Sequence, residues 1–204
     1  MEKLTSESEA TSGAKEVEIP AKDGTRAPAI AAILAAILLC ACYFAPFTIA
    51  DAGSAPTTEI ASTIELVEGS GIMASELASP SLVKWADVYK AYSDHLANGL
   101  NDATLMYWAI VASAGSALLA ALFALLRKAT PVVLLGGINI AALVFVNFYF
   151  TTYGPVSSSA SSSWAWGHMA LFAAAGALLA AGIWLFVAKR RQKRGAWSPA
   201  EPLA

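Results

Sequence analysis

The residues of this chain that could do chemistry are few, and their spacing assembles no familiar site. His95 and His168 are its two histidines. His95 follows Asp94 and, with Asp87 and Glu76, could in principle form an external metal site, but no recognised ligand spacing accompanies them. Two ordinary interfacial histidines are the simpler reading. Cys40 and Cys42 lie two residues apart, so on a helix they point to nearly opposite sides and suit neither a disulfide nor a shared metal. They read as small apolar residues. The run Leu39-Cys40-Ala41-Cys42 resembles a lipoprotein cleavage box only loosely, because its second position is cysteine. There is no nucleophile motif, no phosphate-cradling glycine loop and no intramembrane acid pair. Catalysis needs polar groups held together. The expectation is therefore a protein that is not an enzyme and carries no metal or cofactor.

The elements that must position these residues are long and apolar. Hydrophobic residues make up 57% of the 204-residue chain and charged residues 14%. Four stretches, residues 28–50, 104–126, 131–150 and 164–188, contain no Asp, Glu, Lys or Arg. A helix crossing a hydrocarbon core of about 30 Å needs roughly 20 residues. Between Val132 and Phe150 twelve residues are Val, Leu, Ile or Phe. At about −0.4 kcal/mol each they contribute roughly −5 kcal/mol towards insertion, enough to outweigh two asparagines. The fold expected is an all-α membrane protein: a four-transmembrane-helix bundle over 28–190, with an extracellular loop, 51–103, that contains an amphipathic helix. A cleaved signal peptide fits the first stretch less well, because the leader before it is long and mixed in charge.

Charge sets the orientation. Arg127 and Lys128 fill the tight linker between the second and third stretches, and Lys189, Arg190, Arg191, Lys193 and Arg194 follow the fourth. The 51–103 loop has only Lys84 and Lys90 against eight acids: Asp51, Glu59, Glu65, Glu68, Glu76, Asp87, Asp94 and Asp102. Positive loops stay cytoplasmic. A multi-pass cell-membrane protein with both termini cytoplasmic follows. Tyr107, Trp108, Tyr149, Tyr153, Trp164 and Trp166 fall where an outer aromatic belt belongs. Residues 1–27, rich in Glu, Ser, Thr and Lys, read as a disordered cytoplasmic tail, and residues 191–204 as a basic one.

In the large loop, Ser79-Pro80 reads as a helix start and Asn98-Gly99 as its stop. Between them Leu82, Trp85, Tyr89 and Tyr92 recur at helical spacing as one apolar face. That face either packs on the outer ends of the bundle or rests on the membrane surface, or it docks a partner protein. Thr58–Glu68 suits a short helix or a strand, and the run 157–163 is a Ser-rich flexible loop.

Inside the bilayer the polar positions are Asn139 and Asn147. They hydrogen-bond neighbouring helices or, less simply, line a path for a solute. Small residues repeat every four positions: Ala112, Ser116, Ala120 and Ala124, beside Ala109, Ser113, Ala117 and Ala121, then Ala173, Ala177 and Ala181 with Gly176 and Gly182. Such rows allow helices to pack closely. Pro46 kinks or ends the first helix. The terminal basic run gains about 1 kcal/mol per Lys or Arg beside anionic lipid, as a topology anchor or as a docking site.

The layout resembles small four-helix membrane proteins of unknown function from Gram-positive bacteria. The likeness rests on the acidic-aliphatic patch Ser62-Thr63-Ile64-Glu65-Leu66-Val67-Glu68-Gly69 and on Gly167 before a Gly-spaced last helix. The resemblance implies no catalytic residues. The partners expected are the lipid bilayer and either a membrane protein or a second copy of the chain, with no nucleic acid. Function is expected through the acidic loop, as an envelope protein or complex subunit; an oligomeric small-solute transporter or pore is the alternative.

Overall fold

The computed structural model describes residues 24–51, 63–95, 101–157 and 162–195. Most of the N-terminal tail, the start of the Thr58–Glu68 segment, Asn98-Gly99, most of the serine run and Trp197 lie outside them. The described chain runs α1 (Arg26–Cys42), β1 (Thr48–Ala50), a 3-10 turn (Ala74–Leu77), α2 (Leu82–His95), α3 (Asp102–Leu125), α4 (Ala129–Thr152), β2 (Ser162–Trp164) and α5 (Trp166–Gly195). Three of these helices, α3, α4 and α5, are long and apolar enough to cross a membrane. They make this a membrane-embedded helical protein.

Four helices close a ring: α1 packs on α3 and α5, and α4 packs on the same two. The ring has two chemically distinct ends. Arg26, Arg127, Lys128 and the run from Lys189 to Arg194 lie at the basic end, while β1, β2, the 3-10 turn and α2 cover the acidic end. Caps explain where the helices start. Asn101 accepts from the Thr104 N–H at 2.8 Å and opens α3. Ser81 accepts from the Lys84 N–H at 3.2 Å and opens α2, two residues later than the Ser79-Pro80 signal suggests. The Pro80 carbonyl is used elsewhere, accepting from the Phe47 N–H at 2.8 Å.

The turn between α3 and α4 is a Schellman closure. The Arg127 N–H donates to the Ala124 carbonyl and the Lys128 N–H to the Phe123 carbonyl. Arg127 holds the left-handed position, φ 52°, where glycine is usual.

The expectation of one helix over 28–50 needs correction, because α1 stops at Cys42. The cause is Pro46, which has no N–H to give the Cys42 carbonyl and whose ring would clash with it. The chain instead tightens through Tyr43, Phe44 and Ala45, each donating three residues back, and then extends into β1. That strand pairs antiparallel with β2, Thr48 opposite Trp164 and Ala50 opposite Ser162. Backbone groups released from a helix need other partners, and here the protein supplies them. Phe47 and Ala50 donate to the Pro80 and Ala78 carbonyls, and the Phe47 and Pro46 carbonyls accept from Ala165 and Gly167. The other end differs too. α5 runs 30 residues and so carries the basic run as helix; Lys and Arg are good helix formers, and their charge favours a helix C-terminus.

On α1 and α3 many inward side chains are small and many outward ones large, whereas α4 and α5 turn Leu143, Val146, Phe150, Leu171, Leu178 and Leu185 inward. On α1, Ala32 and Ala36 are 0% exposed while Ile30 and Leu34 are 57% and 60% exposed. Likewise on α3, Ala117, Ala120 and Ala124 are buried and Leu118, Leu122 and Leu125 exposed. The small-residue rows of α3 thus face mostly inward. Those of α5 do not: Ala173, Gly176 and Ala177 are exposed, and the buried line runs through Leu171, Ala174, Ala175, Leu178, Ala181 and Gly182. Gly136 faces Leu179, and a Cβ on Gly182 would stand 3.0 Å from Val132 Cγ1, so α4 and α5 approach closely there.

Candidate functional site

Near the middle of the ring four polar side chains form a closed knot. Asn139 on α4 is fully buried. Its Nδ2 donates to the Ser113 carbonyl at 2.7 Å, with the Tyr43 hydroxyl at 3.2 Å, Ser113 Oγ at 3.2 Å and Ser116 Oγ at 3.3 Å around it. The Ser113 carbonyl can only accept, which fixes the orientation of the amide. Tyr43 and Ser113 hydroxyls bond each other, and Ser116 Oγ donates to the Ser113 carbonyl at 2.7 Å. Asn139 Oδ1 has no hydrogen-bond partner among the described residues. Asn139 lies ten residues into α4, about 15 Å along it, and Ser113 lies about 18 Å from the end of α3. The knot therefore ties three elements at mid-depth.

Asn147 is spent differently. Its Oδ1 lies 2.9 Å from His168 Nε2 on α5, two turns of α4 above Asn139. The two asparagines join different neighbours and do not share a site. The His168 ring stacks on Trp164 with centroids 3.9 Å apart and meets Phe47 edge-on at 5.4 Å. Phe150 continues the cluster, 5.6 Å from Phe47 and 5.4 Å from Trp85. Edge and offset contacts of this kind add about 0.5–1.5 kcal/mol each beyond area burial. Together they bolt β1, β2, α2, α4 and α5 into one lid at the acidic end.

That lid consumes most of the expected docking face. Leu82 is fully buried, Trp85 is buried with its Nε1 donating to Thr48 Oγ1 at 3.0 Å, and Tyr89 lies between Trp85 and Tyr149. Burial, then the neighbouring Tyr149, pushes the Tyr89 phenol well above its ordinary value, so it stays neutral. Only Tyr92 of the four is exposed. Leu82, Trp85 and Tyr89 pack on the bundle.

What remains open at this end is a groove of about 620 Å³ between α2 and the 67–72 turn, lined by Glu68, Asp87, Asp94, His95, Lys84 and Lys90 among others. Its wall is a tight turn. Leu66 donates to the Ile72 carbonyl at 2.8 Å, and Gly69 donates to the Glu65 carboxylate at 2.7 Å. Gly69 and Gly71 take positive φ, 75° and 69°. Glu76 anchors the segment by bonding Lys84 Nζ at 2.7 Å and the Met73 N–H at 3.1 Å; the Lys84 bond holds its carboxyl below the ordinary range. Lys90 pairs with Asp94 at 2.7 Å. His95 and Glu76 are not brought to one point, and no cluster of three metal-ligating side chains occurs among the described residues.

Sequence reasoning singled out Asn139 and Asn147 but missed Tyr43, Ser113 and Ser116 as partners. The signal was available: the serines are hydroxyls in mid-span, where an apolar stretch gives them nothing else to bond. No protein-family model, curated protein or solved structure matches the chain.

Proposed function

We propose that the chain is a four-span, non-enzymatic cell-membrane protein that acts through its acidic end, as an envelope protein or as a subunit of a membrane complex. The observation that carries this reading is the groove beside α2. It is an open, charged concavity on a braced lid, whereas the polar groups inside the ring are turned towards one another. Its exposed Glu68 and Asp87 suit a partner that presents cationic or donor groups.

The fourth span is α1 together with residues 43–50. Seventeen helical residues give about 25 Å, and the tightened turn and β1 supply the remainder of the crossing. The basic end faces the cytoplasm on this reading, because every loop obeys the positive-inside rule. Inside-out packing supports the bilayer as solvent: large apolar side chains exposed to water would each forfeit roughly 1.5–3 kcal/mol, while lipid accepts them freely. An oligomeric pore lined by Asn139 and Asn147 has less support, since the Asn139 Nδ2 and the Asn147 Oδ1 are each engaged by a neighbouring helix.

Isolation from the native membrane in mild detergent tests the proposal. A stoichiometric membrane partner should co-isolate and be lost when Glu68→Lys and Asp87→Lys are combined. Repeated recovery of a lone monomer would overturn it. Orientation is tested separately by a membrane-impermeant thiol reagent, which should label Ser70→Cys but not Gln192→Cys in intact cells.

A further inference from the structure

At the basic end, the start of α4 and the end of α5 enclose a cavity of about 450 Å³. It is lined by Lys128, Ala129, Thr130, Pro131, Phe186, Lys189, Arg190 and Lys193. We propose that this cavity binds the phosphodiester headgroup of an anionic membrane phospholipid, one molecule per chain. The inference rests on the membrane reading and orientation above and goes beyond them by naming a ligand.

Four cations converge on one hollow without a carboxylate among them. Lys189 and Lys193 are one helical turn apart and share a face of α5; Lys128 approaches from the α3–α4 turn. The described acids, Asp51, Glu65, Glu68, Glu76, Asp87, Asp94 and Asp102, all lie at the other end of the ring. No salt bridge to these four cations occurs among the described residues, whose ion pairs Glu76–Lys84 and Lys90–Asp94 are both on the lid. Arg190 rests on the Phe186 ring at 4.5 Å, which holds its guanidinium at the rim of the hollow. Cations crowded this way repel one another until an anion arrives. The first turn of α4 adds to the field: Lys128 precedes it with no side-chain cap, leaving the Ala129 and Thr130 N–H groups directed out of the helix end.

Lipid, rather than a free phosphate, is favoured by what surrounds the cations. Ala129, Pro131 and Phe186 give the cavity an apolar floor. Leu134, one turn further along α4, is 63% exposed on the face that acyl chains would follow. Basic hollows between spans on the cytoplasmic side are where acidic headgroups are held.

The test is native mass spectrometry of the detergent-solubilised protein with dioctanoyl-phosphatidylglycerol, dioctanoyl-phosphatidylcholine or inorganic phosphate. One phosphatidylglycerol should bind about tenfold or more tighter than phosphatidylcholine. Lys189→Gln with Lys193→Gln should erase that preference. Arg191→Gln with Arg194→Gln, an equal loss of charge on the same helix but outside the cavity, should leave it within about twofold. An equal effect of both pairs, no preference in the natural chain, or inorganic phosphate binding as tightly as the lipid would each overturn the site. If the lysine pair fails to insert, hydrogen exchange on the natural chain decides: the Thr130 amide should slow with phosphatidylglycerol and not with phosphatidylcholine, and equal exchange would overturn the proposal. Absence from the membrane fraction, or inverted thiol labelling, would instead strike at the underlying topology.

Discussion

Gly167 lies against the carbonyl of Pro46: its N–H donates to that oxygen at 3.0 Å, and a Cβ at position 167 would stand 2.2 Å from it. The contact joins the point where α1 gives way to strand with the first turn of α5. Gly167→Ala must therefore break the bond and push the Pro46 backbone aside. A loss of about 2–4 kcal/mol is expected from overpacking plus the missing bond. Unfolding in mixed micelles measures it. Gly176→Ala is the control: nothing lies within 4 Å of that Cβ, and stability should hold or rise.

The polar knot can be weighed by a double-mutant cycle. Asn139→Leu and Tyr43→Phe each remove bonds from the same cluster, so their effects should not add. A coupling of about 0.6–1.7 kcal/mol is expected, the range for hydrogen bonds between membrane helices. Strict additivity would mean that the Tyr43–Asn139 contact, 3.2 Å long, contributes nothing.

Arg127 holds a backbone conformation suited to glycine, φ 52°. Arg127→Gly should relieve about 1–2 kcal/mol, the cost of a Cβ in the left-handed region, less whatever the Arg127 contacts contribute. Arg127→Ile should lower stability, because a branched Cβ tolerates that region worse. Thermal unfolding of both variants in one detergent reads the order.

The Glu76 brace gives the lid an acid limit. Its carboxyl is held below the ordinary 4.5 by the Lys84 bond, so its contribution is present above that pH and is lost as pH falls through the lowered value. Protection of the Met73 amide, corrected for intrinsic exchange, should fall over that acid window. Glu76→Gln should remove the pH dependence, while protection within α3 stays constant.

The spans were legible because absence of charge over some twenty residues has one physical meaning, and α3 and α4 fall within about two residues of their expected limits. Hydropathy failed at Tyr43–Ala50 because strand and helix are equally apolar there; the decisive group was the missing N–H of Pro46, whose carbonyl partner Gly167 lies over a hundred residues away. Periodicity found the α2 face but could not say what it met, since packing on Phe150 and docking a stranger demand the same side chains. The exposure of Ala173 and Ala177 was unreadable for a related reason: alanine suits a tight helix contact and a lipid surface alike.

Where α1 and α3 face the ring interior, buried alanines change the usual map of mutational tolerance. In a water-soluble bundle the large buried residues resist change and the surface drifts. Here an exposed leucine such as Leu118 or Leu122 should accept Ile, Val, Met or Phe with little effect, since lipid fills whatever shape is left. Ala32, Ala36, Ala117 and Ala120, each at 0% exposure, should accept almost nothing larger than serine, because an added methylene forces two helices apart along their length. A saturation library sorted for membrane insertion would then show larger residues depleted at these alanines and tolerated at the outward leucines.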